Sequence, residues 1–320
     1  MYKVLIPQDV PESGKAYLRE RGYELVMGSG FDSETIKREI ADADAVIART
    51  ALYPADVIRA GKKLKIISRH GIGVDNIDVK AAEEAGIYVT VTKNQHTSYA
   101  VAEHAMTMMM VLAKKIPIFS TCIEQGNWNA RLSYLTNELY GKTLGLIGCG
   151  AIGLHLAKML HDGMDMRVIG FDAYADPEKL PSYVELTPDK EEIFRNGDFI
   201  SLHVPLTPDT KNMVGRAELK MMKPSAFLVN CARGGIVDEQ ALYEALTSHT
   251  IAGAGCDCFE EEPLAADHPL LKLKNFVSTP HNAGMSQEAQ DVSGLISAQA
   301  VDDVLNGRTP QFPVNHPEKP

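Results

Sequence analysis

Three residues with reactive side chains stand at or near the ends of short apolar runs: Arg233, Glu262 and His281. His281 lies in "STPHNAG", where the run "NFVSTP" reads as a strand stopping at Pro280. Proline fixes its own φ and cannot continue a central ladder, and Gly284 opens backbone angles closed to other residues. An imidazole on such a turn could act as a general acid or base near neutral pH. Rigid scaffolds often carry catalytic groups on loops of this kind. A surface turn histidine fits the same pattern, and the local sequence leaves both readings open. Arg233 follows the buried run "FLVNCA" and precedes two glycines. At the carboxyl end of a strand in a doubly wound sheet it would point into the ligand crevice. Its planar fork could hold a carboxylate through two hydrogen bonds, or pair with a surface acid. Glu262 is the last of three glutamates and precedes Pro263, which favours an extended backbone. Beside His281 its carboxylate would fix the tautomer and favour the charged ring. A solvated acidic turn is the alternative.

A second constellation is "TLGLIGCGAIGLHLAKML", with Gly148, Gly150 and Gly153 between an apolar strand and a helix. A further strand, "MRVIGF", ends at Asp172, about 20 residues beyond the last glycine, as a dinucleotide fingerprint requires. Gly148 serves the tight turn, Gly150 lets backbone approach a pyrophosphate, and Gly153 lets the helix close on the strand. The helix start offers free N–H groups to phosphate. Asp172 would accept from the adenine ribose hydroxyls and repel a 2′-phosphate, and no Arg or Lys follows through Asp176. This predicts NAD rather than NADP.

The surrounding elements must hold these groups in place. Residues 1–97 alternate "YKVLIP", "YELVMG", "DAVIAR", "LKIISR" and "IYVTVT" with helical stretches, and alternation restarts at "KTLGLIG". Such alternation implies parallel βαβ units. It predicts an α/β protein of two Rossmann-like or flavodoxin-like domains, each a parallel sheet with helices on both faces. Residues 98–116, "SYAVAEHAMTMMMVLAKKI", form a helix apolar nearly all round, as expected of an interdomain or subunit contact. Residues 286–307 read as one amphipathic helix ended by Gly307. "SRHGIGVDNID" is either an anion-binding nest of backbone N–H groups or a plain strand-to-helix turn.

Composition narrows the function classes. The net charge of −10 and the lack of a dense Lys/Arg block argue against a nucleic-acid partner. The longest apolar stretch, "AMTMMMVLA", is too short to span a bilayer. The odd count of five cysteines, without a C-x-x-C pair, argues against a disulfide framework or a zinc site, so no metal is expected. The start "MYKVLIP" reads as a first strand rather than a signal peptide. A cytoplasmic protein is expected.

The landmarks "GIGVDNID", "VAEH", "NWNARLSYLTNELYGKTLGLIGCGAIG", "LHVPLTPDT", "VNCARGGIVDEQAL", "DCFEEEPL" and "TPHNAG" follow in this order over nearly the whole chain. Together they resemble the D-isomer-specific 2-hydroxyacid dehydrogenases, most of all the D-3-phosphoglycerate dehydrogenase branch. The resemblance implies an NAD-dependent oxidoreductase that exchanges hydride with a D-2-hydroxy acid or 2-oxo acid. It implies Arg233 as the group that binds and polarises the substrate, Glu262 as the partner of His281, and His281 as the acid/base. Implied cofactor contacts are Ala151 and Ile152 after the second glycine, Asp172, the turn His203–Val204–Pro205 and Thr210. To these it adds Cys231, Ala232, Arg233, Asp257 and the stretch from His281 through Ala283 to Gly284. Implied substrate contacts are Gly71, Ile72 and Gly73, with Arg233 and His281. Arg49 and Arg69 would contact the phosphate, unless they pair with neighbouring acids.

Expected further are a substrate-binding domain of residues 1–97 plus 289–320 and an NAD-binding domain of residues 98–288. A homodimer with residues 98–116 in its interface, a role in serine biosynthesis, and the absence of an appended regulatory domain complete the expectation. His70 stands where the family usually carries a small residue; Tyr99 and Thr136 also depart from commoner choices. A hydroxypyruvate or glyoxylate reductase, or a broad 2-oxo-acid reductase, is the in-class alternative. An NAD-sensing protein like the corepressors of this fold is the alternative from another class.

Overall fold

The computed structural model describes residues 1–318, so the last two residues of the 289–320 segment lie outside the described residues. The chain forms two compact units: Met1–Thr97 together with the stretch from Met285 onward, and Ser98–Gly284.

The first unit is built on β1 (Lys3–Ile6), β2 (Glu24–Met27), β3 (Ala45–Ala48), β4 (Ile66–Arg69) and β5 (Tyr88–Thr90). The strands pair in parallel in the order β2-β1-β3-β4-β5. This is the flavodoxin order, whose switch point lies between β1 and β3. Side chains alternate between faces. Val4, Ile6, Ala45, Ile47 and Ile66 meet the C-terminal helix Gln287–Leu305 through Ala298, Val301 and Leu305. Leu5, Val46 and Ile67 face the opposite way, against Ile36, Val57 and Ile58. Burial on both faces explains why these strands read as continuous apolar runs. Each large side chain so buried contributes about 1.5–3 kcal/mol.

The C-terminal helix starts where Ser286 Oγ accepts the N–H of Ala289, a cap worth about 1 kcal/mol. Just past its end, Gly307 takes a φ of 74°. The helix lies close against the helix Glu12–Glu20, where a Cβ on Gly14 would sit 2.4 Å from the carbonyl oxygen of Gly294. Residues 285–288 group with the first unit rather than the second. Met285 meets the Arg49 guanidinium there, and Ser286 begins the helix.

The second unit carries β6 (Thr143–Ile147), β7 (Arg167–Phe171), β8 (Val184–Leu186), β9 (Phe199–Leu202), β10 (Phe227–Asn230), β11 (Gly253–Cys256) and β12 (Phe276–Ser278). All pair in parallel, in the order β12-β11-β10-β9-β6-β7-β8. The order reverses between β6 and β9, where open α/β sheets bind ligands at strand carboxyl ends. Helices cover both faces, around two apolar clusters.

The expected helix at 98–116 spans Gln95–Ala113. Its apolar face is covered largely by its own unit: Ala105, Met108, Met109 and Leu112 join the core around Leu144, Phe227 and Val229. The helix comes close enough to β11 that a Cβ on Gly255 would lie 3.1 Å from Met108 Sδ. Exposed apolar surface appears instead on the segment that follows, at Ile116, Ile123, Trp128, Leu132, Leu135 and Tyr140. Lys115, at a φ of 53°, separates the long helix from the helix Ile116–Glu124. Among the described residues no single helix is long and apolar enough to cross a membrane; these two would reach that length only together, and they are bent by 56°. The longer of the two is largely buried in the core.

Candidate active site

The glycine loop follows β6 at the switch point. Gly148 has a φ of 98°, and a Cβ there would lie 2.6 Å from the carbonyl oxygen of His203. A Cβ on Gly153 would lie 2.4 Å from the oxygen of Gly148. Gly150, by contrast, faces open space and starts the helix Ala151–Met164 without a side-chain cap. Two glycines thus close the turn, and the third leaves room at a helix start whose first N–H groups are uncapped. That arrangement fits a dinucleotide pyrophosphate. Asp172, just past β7, accepts from the N–H of Cys149 at 2.8 Å and of Tyr174 at 2.9 Å. Its carboxylate is thereby fixed beside the glycine loop. Burial pushes the Cys149 thiol up to about 11, so it stays protonated.

The turn after β9 carries His203, Val204 and Pro205. The N–H of His203 bonds to Ile147 at 2.7 Å, locking this turn to β6. Both ring nitrogens are buried without a hydrogen-bond partner, and burial lowers the imidazole to about 4. The ring is therefore neutral at physiological pH and presents no nitrogen to solvent. Thr210 donates its hydroxyl to the carbonyl of Pro205 at 2.6 Å, pinning the rest of the loop.

Arg233, Glu262 and His281 all belong to this unit. Asn230, at the end of β10, donates to the carbonyl of Arg233 at 2.9 Å and accepts from the N–H of Ala232 at 3.1 Å. Gly234 lets this loop touch the next one, for a Cβ there would lie 1.7 Å from the carbonyl oxygen of Phe259. Glu262 Oε1 accepts the N–H of Phe259 at 2.9 Å, and Oε2 lies 2.8 Å from His281 Nδ1. Burial pushes the Glu262 carboxyl up, but the hydrogen bonds from His281 and Phe259, with the nearby charges of His281 and Arg233, outweigh it. The net shift is below the usual carboxylate value. The Glu262–Pro263 peptide is cis.

His281 takes a left-handed φ of 52°, a strained conformation that its surroundings must impose. Its N–H bonds to the carbonyl of Asp257 at 2.7 Å. The His281 and Glu262 side chains are 48% and 38% exposed. An ion pair so open to water contributes about 0–1 kcal/mol to stability. Stability alone is a weak reason to hold a strained histidine there, and an accessible Nε2 backed by a carboxylate suits proton exchange.

Asp257 and Cys231 sit deeper. Cys231 is buried with Sγ 3.8 Å from Met108 Sδ, and burial raises its thiol well above the usual value. The Asp257 carboxylate is 1% exposed and accepts from the N–H groups of Asn282 and Ala283, each at 2.9 Å. Sequence reasoning missed two supports of the site. Asn230 was legible only as a polar residue ending an apolar strand. His104, 2.9 Å from Thr279 Oγ1, was visible only as part of "VAEH".

In the first unit Arg49 follows β3, donating to the carbonyl of Asp9 at 2.7 Å and approaching Met285 Sδ at 3.7 Å. Arg69 ends β4 and donates to the carbonyl of His70. His70 is buried; burial and the Arg49 charge push it down to about 4. The N–H of Gly71, expected to grip a substrate carboxylate, instead donates to Thr92 Oγ1 at 2.9 Å. Gly71 turns the chain at a φ of 145°, where a Cβ would strike the Arg69 guanidinium. Of the three nest amides, those of Ile72 and Gly73 remain. Among the described residues no cluster of His, Cys, Asp or Glu could hold a metal ion.

Residues 106–283 match the family model described as the NAD binding domain of D-isomer specific 2-hydroxyacid dehydrogenases. The chain is 42% identical over 322 residues to a D-3-phosphoglycerate dehydrogenase of Methanocaldococcus jannaschii, covering 100% of this chain and 60% of that protein. It is 36% identical to a glyoxylate reductase of Korarchaeum cryptofilum over 98% of this chain and 96% of that one. The crystal structure of the TT0316 protein from Thermus thermophilus superposes with a TM-score of 0.90 at 33% identity, covering 98% of this chain and 100% of that chain. The chain thus spans about 60% of the length of the archaeal phosphoglycerate dehydrogenase that it matches.

Proposed function

Because the chain belongs to the D-isomer specific 2-hydroxyacid dehydrogenase family, we propose that it exchanges hydride between NAD(H) and a D-2-hydroxy acid or its 2-oxo acid. The observation that carries this reading is His281 Nδ1, 2.8 Å from Glu262 Oε2, on a strained turn of the unit that holds the glycine loop. The helix start at Gly150–Gly153 would hold the pyrophosphate, and Asp172 the adenine ribose. Bound NADH supplies the hydride. During reduction the protonated His281 ring donates to the forming hydroxyl; in oxidation the neutral ring takes that proton, and Glu262 stabilises the charged form. Arg233 binds the carboxylate and polarises the 2-oxo oxygen as charge develops.

The substrate we favour is 3-phosphohydroxypyruvate with D-3-phosphoglycerate, the step that would place the protein in serine biosynthesis. Arg49, just after β3, and Arg69, at the end of β4, are cations that support an anionic group on the substrate. A second reading, a glyoxylate or hydroxypyruvate reductase, is favoured by the nearly full-length match to a glyoxylate reductase. NADH consumption with phosphohydroxypyruvate, hydroxypyruvate, glyoxylate and pyruvate separates the two. Arg69→Ala should raise KM for phosphohydroxypyruvate far more than for pyruvate. Equal losses for both would assign the arginine a structural role. No turnover of any 2-oxo acid would favour an NAD-sensing binding protein.

We further propose a homodimer that covers the exposed apolar side chains of residues 116–140, checked by sedimentation at micromolar concentration. Five free cysteines support residence in the reducing cytoplasm.

A further inference from the structure

We propose that His104 is a positioning residue: its ring N–H, acting through the Thr279 hydroxyl on the Asp257 carboxylate, holds residues 279–283 in the conformation that presents His281. The proposal rests on reading His281 as the proton-exchanging group.

The direction of each hydrogen bond follows from the atoms available. Thr279 Oγ1 lies 2.5 Å from Asp257 Oδ1 and 2.9 Å from His104 Nε2. An ionised carboxylate only accepts, so the single hydroxyl proton goes to Asp257. The Thr279 oxygen is then the acceptor, and His104 Nε2 carries the hydrogen.

Asp257 organises nearly the whole turn. Its carboxylate takes the Thr279 hydroxyl and the N–H groups of Asn282 and Ala283. Its main-chain carbonyl takes the N–H of His281 at 2.7 Å. A buried carboxylate needs compensation from dipoles or charge. The His104 ring, a dipole or a cation according to its protonation, lies 3.8 Å from that carboxylate. His104 is itself well anchored. One helical turn on, Met108 packs over Gly255 of β11, the strand that leads into Asp257.

The donor can be separated from the bulk by two substitutions. His104→Phe keeps a ring and removes the N–H; His104→Gln restores an N–H donor. Amide hydrogen exchange at Asn282 and Ala283, with kcat and KM in the NADH-dependent reduction of the best 2-oxo acid, gives two independent readouts. His104→Phe should speed exchange at both amides about tenfold and lower kcat about tenfold, the order of loss expected from a slightly misplaced group. The pyrophosphate site at Gly148–Gly153 is untouched, so the loss should fall on kcat more than on KM for NADH. His104→Gln should recover most of both losses. His104→Leu, which also lacks a donor, should reproduce the phenylalanine variant and carries the test if that variant does not fold. Wild-type exchange and kcat in His104→Phe would overturn the proposal. So would equal losses in the phenylalanine and glutamine variants. If the wild-type protein reduces no 2-oxo acid, the functional reading fails, while the exchange measurement still decides what His104 does.

Discussion

Glu262 reaches His281 with one carboxylate oxygen and the backbone of Phe259 with the other. The carboxylate cannot swing away from the imidazole without giving up a second hydrogen bond. Nδ1 of His281 is thereby engaged, leaving Nε2 for proton exchange.

His281→Ala should lower kcat by about two to four orders of magnitude, the usual worth of a positioned acid or base. NADH affinity, followed by fluorescence titration, should survive. Near-normal turnover would mean that the proton comes from elsewhere. His203 is a poor substitute, since its ring nitrogens are buried and the ring is neutral.

Glu262→Gln should act through pH. The Glu262 carboxyl is held below its usual value, so its negative charge is complete above the ordinary carboxylate range. That charge is lost only as pH falls through the lowered value. The wild-type Glu262 carboxylate is therefore ionised across the neutral range. Glutamine removes the anion that favours the charged ring. The high-pH limb of reduction should move to lower pH, and the low-pH limb of oxidation should move the same way. Unmoved limbs in both directions would show that Glu262 orients the ring without tuning it.

Asp172 should set cofactor choice. Its carboxylate repels a 2′-phosphate, and NADH should be preferred over NADPH about tenfold or more in kcat/KM, roughly 1.4 kcal/mol. Asp172→Asn removes the charge and keeps an acceptor for one of the two N–H groups, of Cys149 or of Tyr174, that the two carboxylate oxygens take. It should narrow the preference without unfolding the glycine loop. Equal kcat/KM for both cofactors in the wild-type protein would refute this.

His203 should make the second unit sensitive to acid. Its folded value of about 4 lies below the ordinary 6.5. Between those values the unfolded chain binds the extra proton, so stability rises with pH across that window. The stabilisation is complete above pH 6.5 and declines towards pH 4 by on the order of 3 kcal/mol. Urea titrations should show a flatter pH dependence for His203→Phe, which removes two unpartnered buried nitrogens. An unchanged slope would mean that the ring is hydrated in solution.

Much of this was legible one residue at a time. The strands from "YKVLIP" to "IYVTVT" fall where apolar runs bounded by turn residues put them, because two-sided burial in a parallel sheet demands such runs. The glycine loop was readable because each glycine answers a separate steric demand, now visible as contacts at Gly148 and Gly153 and open space at Gly150. Asp238 stands just before the helical pattern "EQALYEAL" and caps the helix Glu239–Thr247, its side chain accepting the N–H of Ala241 at 2.9 Å.

What sequence alone determined was therefore the strands, the helix starts, the glycine turn and the chemical types of the active groups, all of which depend on neighbours close along the chain. The tertiary structure decided which of those groups meet. Glu262 and His281 come within 2.8 Å only because β11 and β12 pair in register, and no local pattern states that distance. The same holds for the Gly71 N–H, which Thr92, just past the neighbouring strand β5, takes, and for the helix Gln95–Ala113, whose apolar faces are largely covered by its own core. Periodicity shows that a face must be buried; only the packed molecule shows against what.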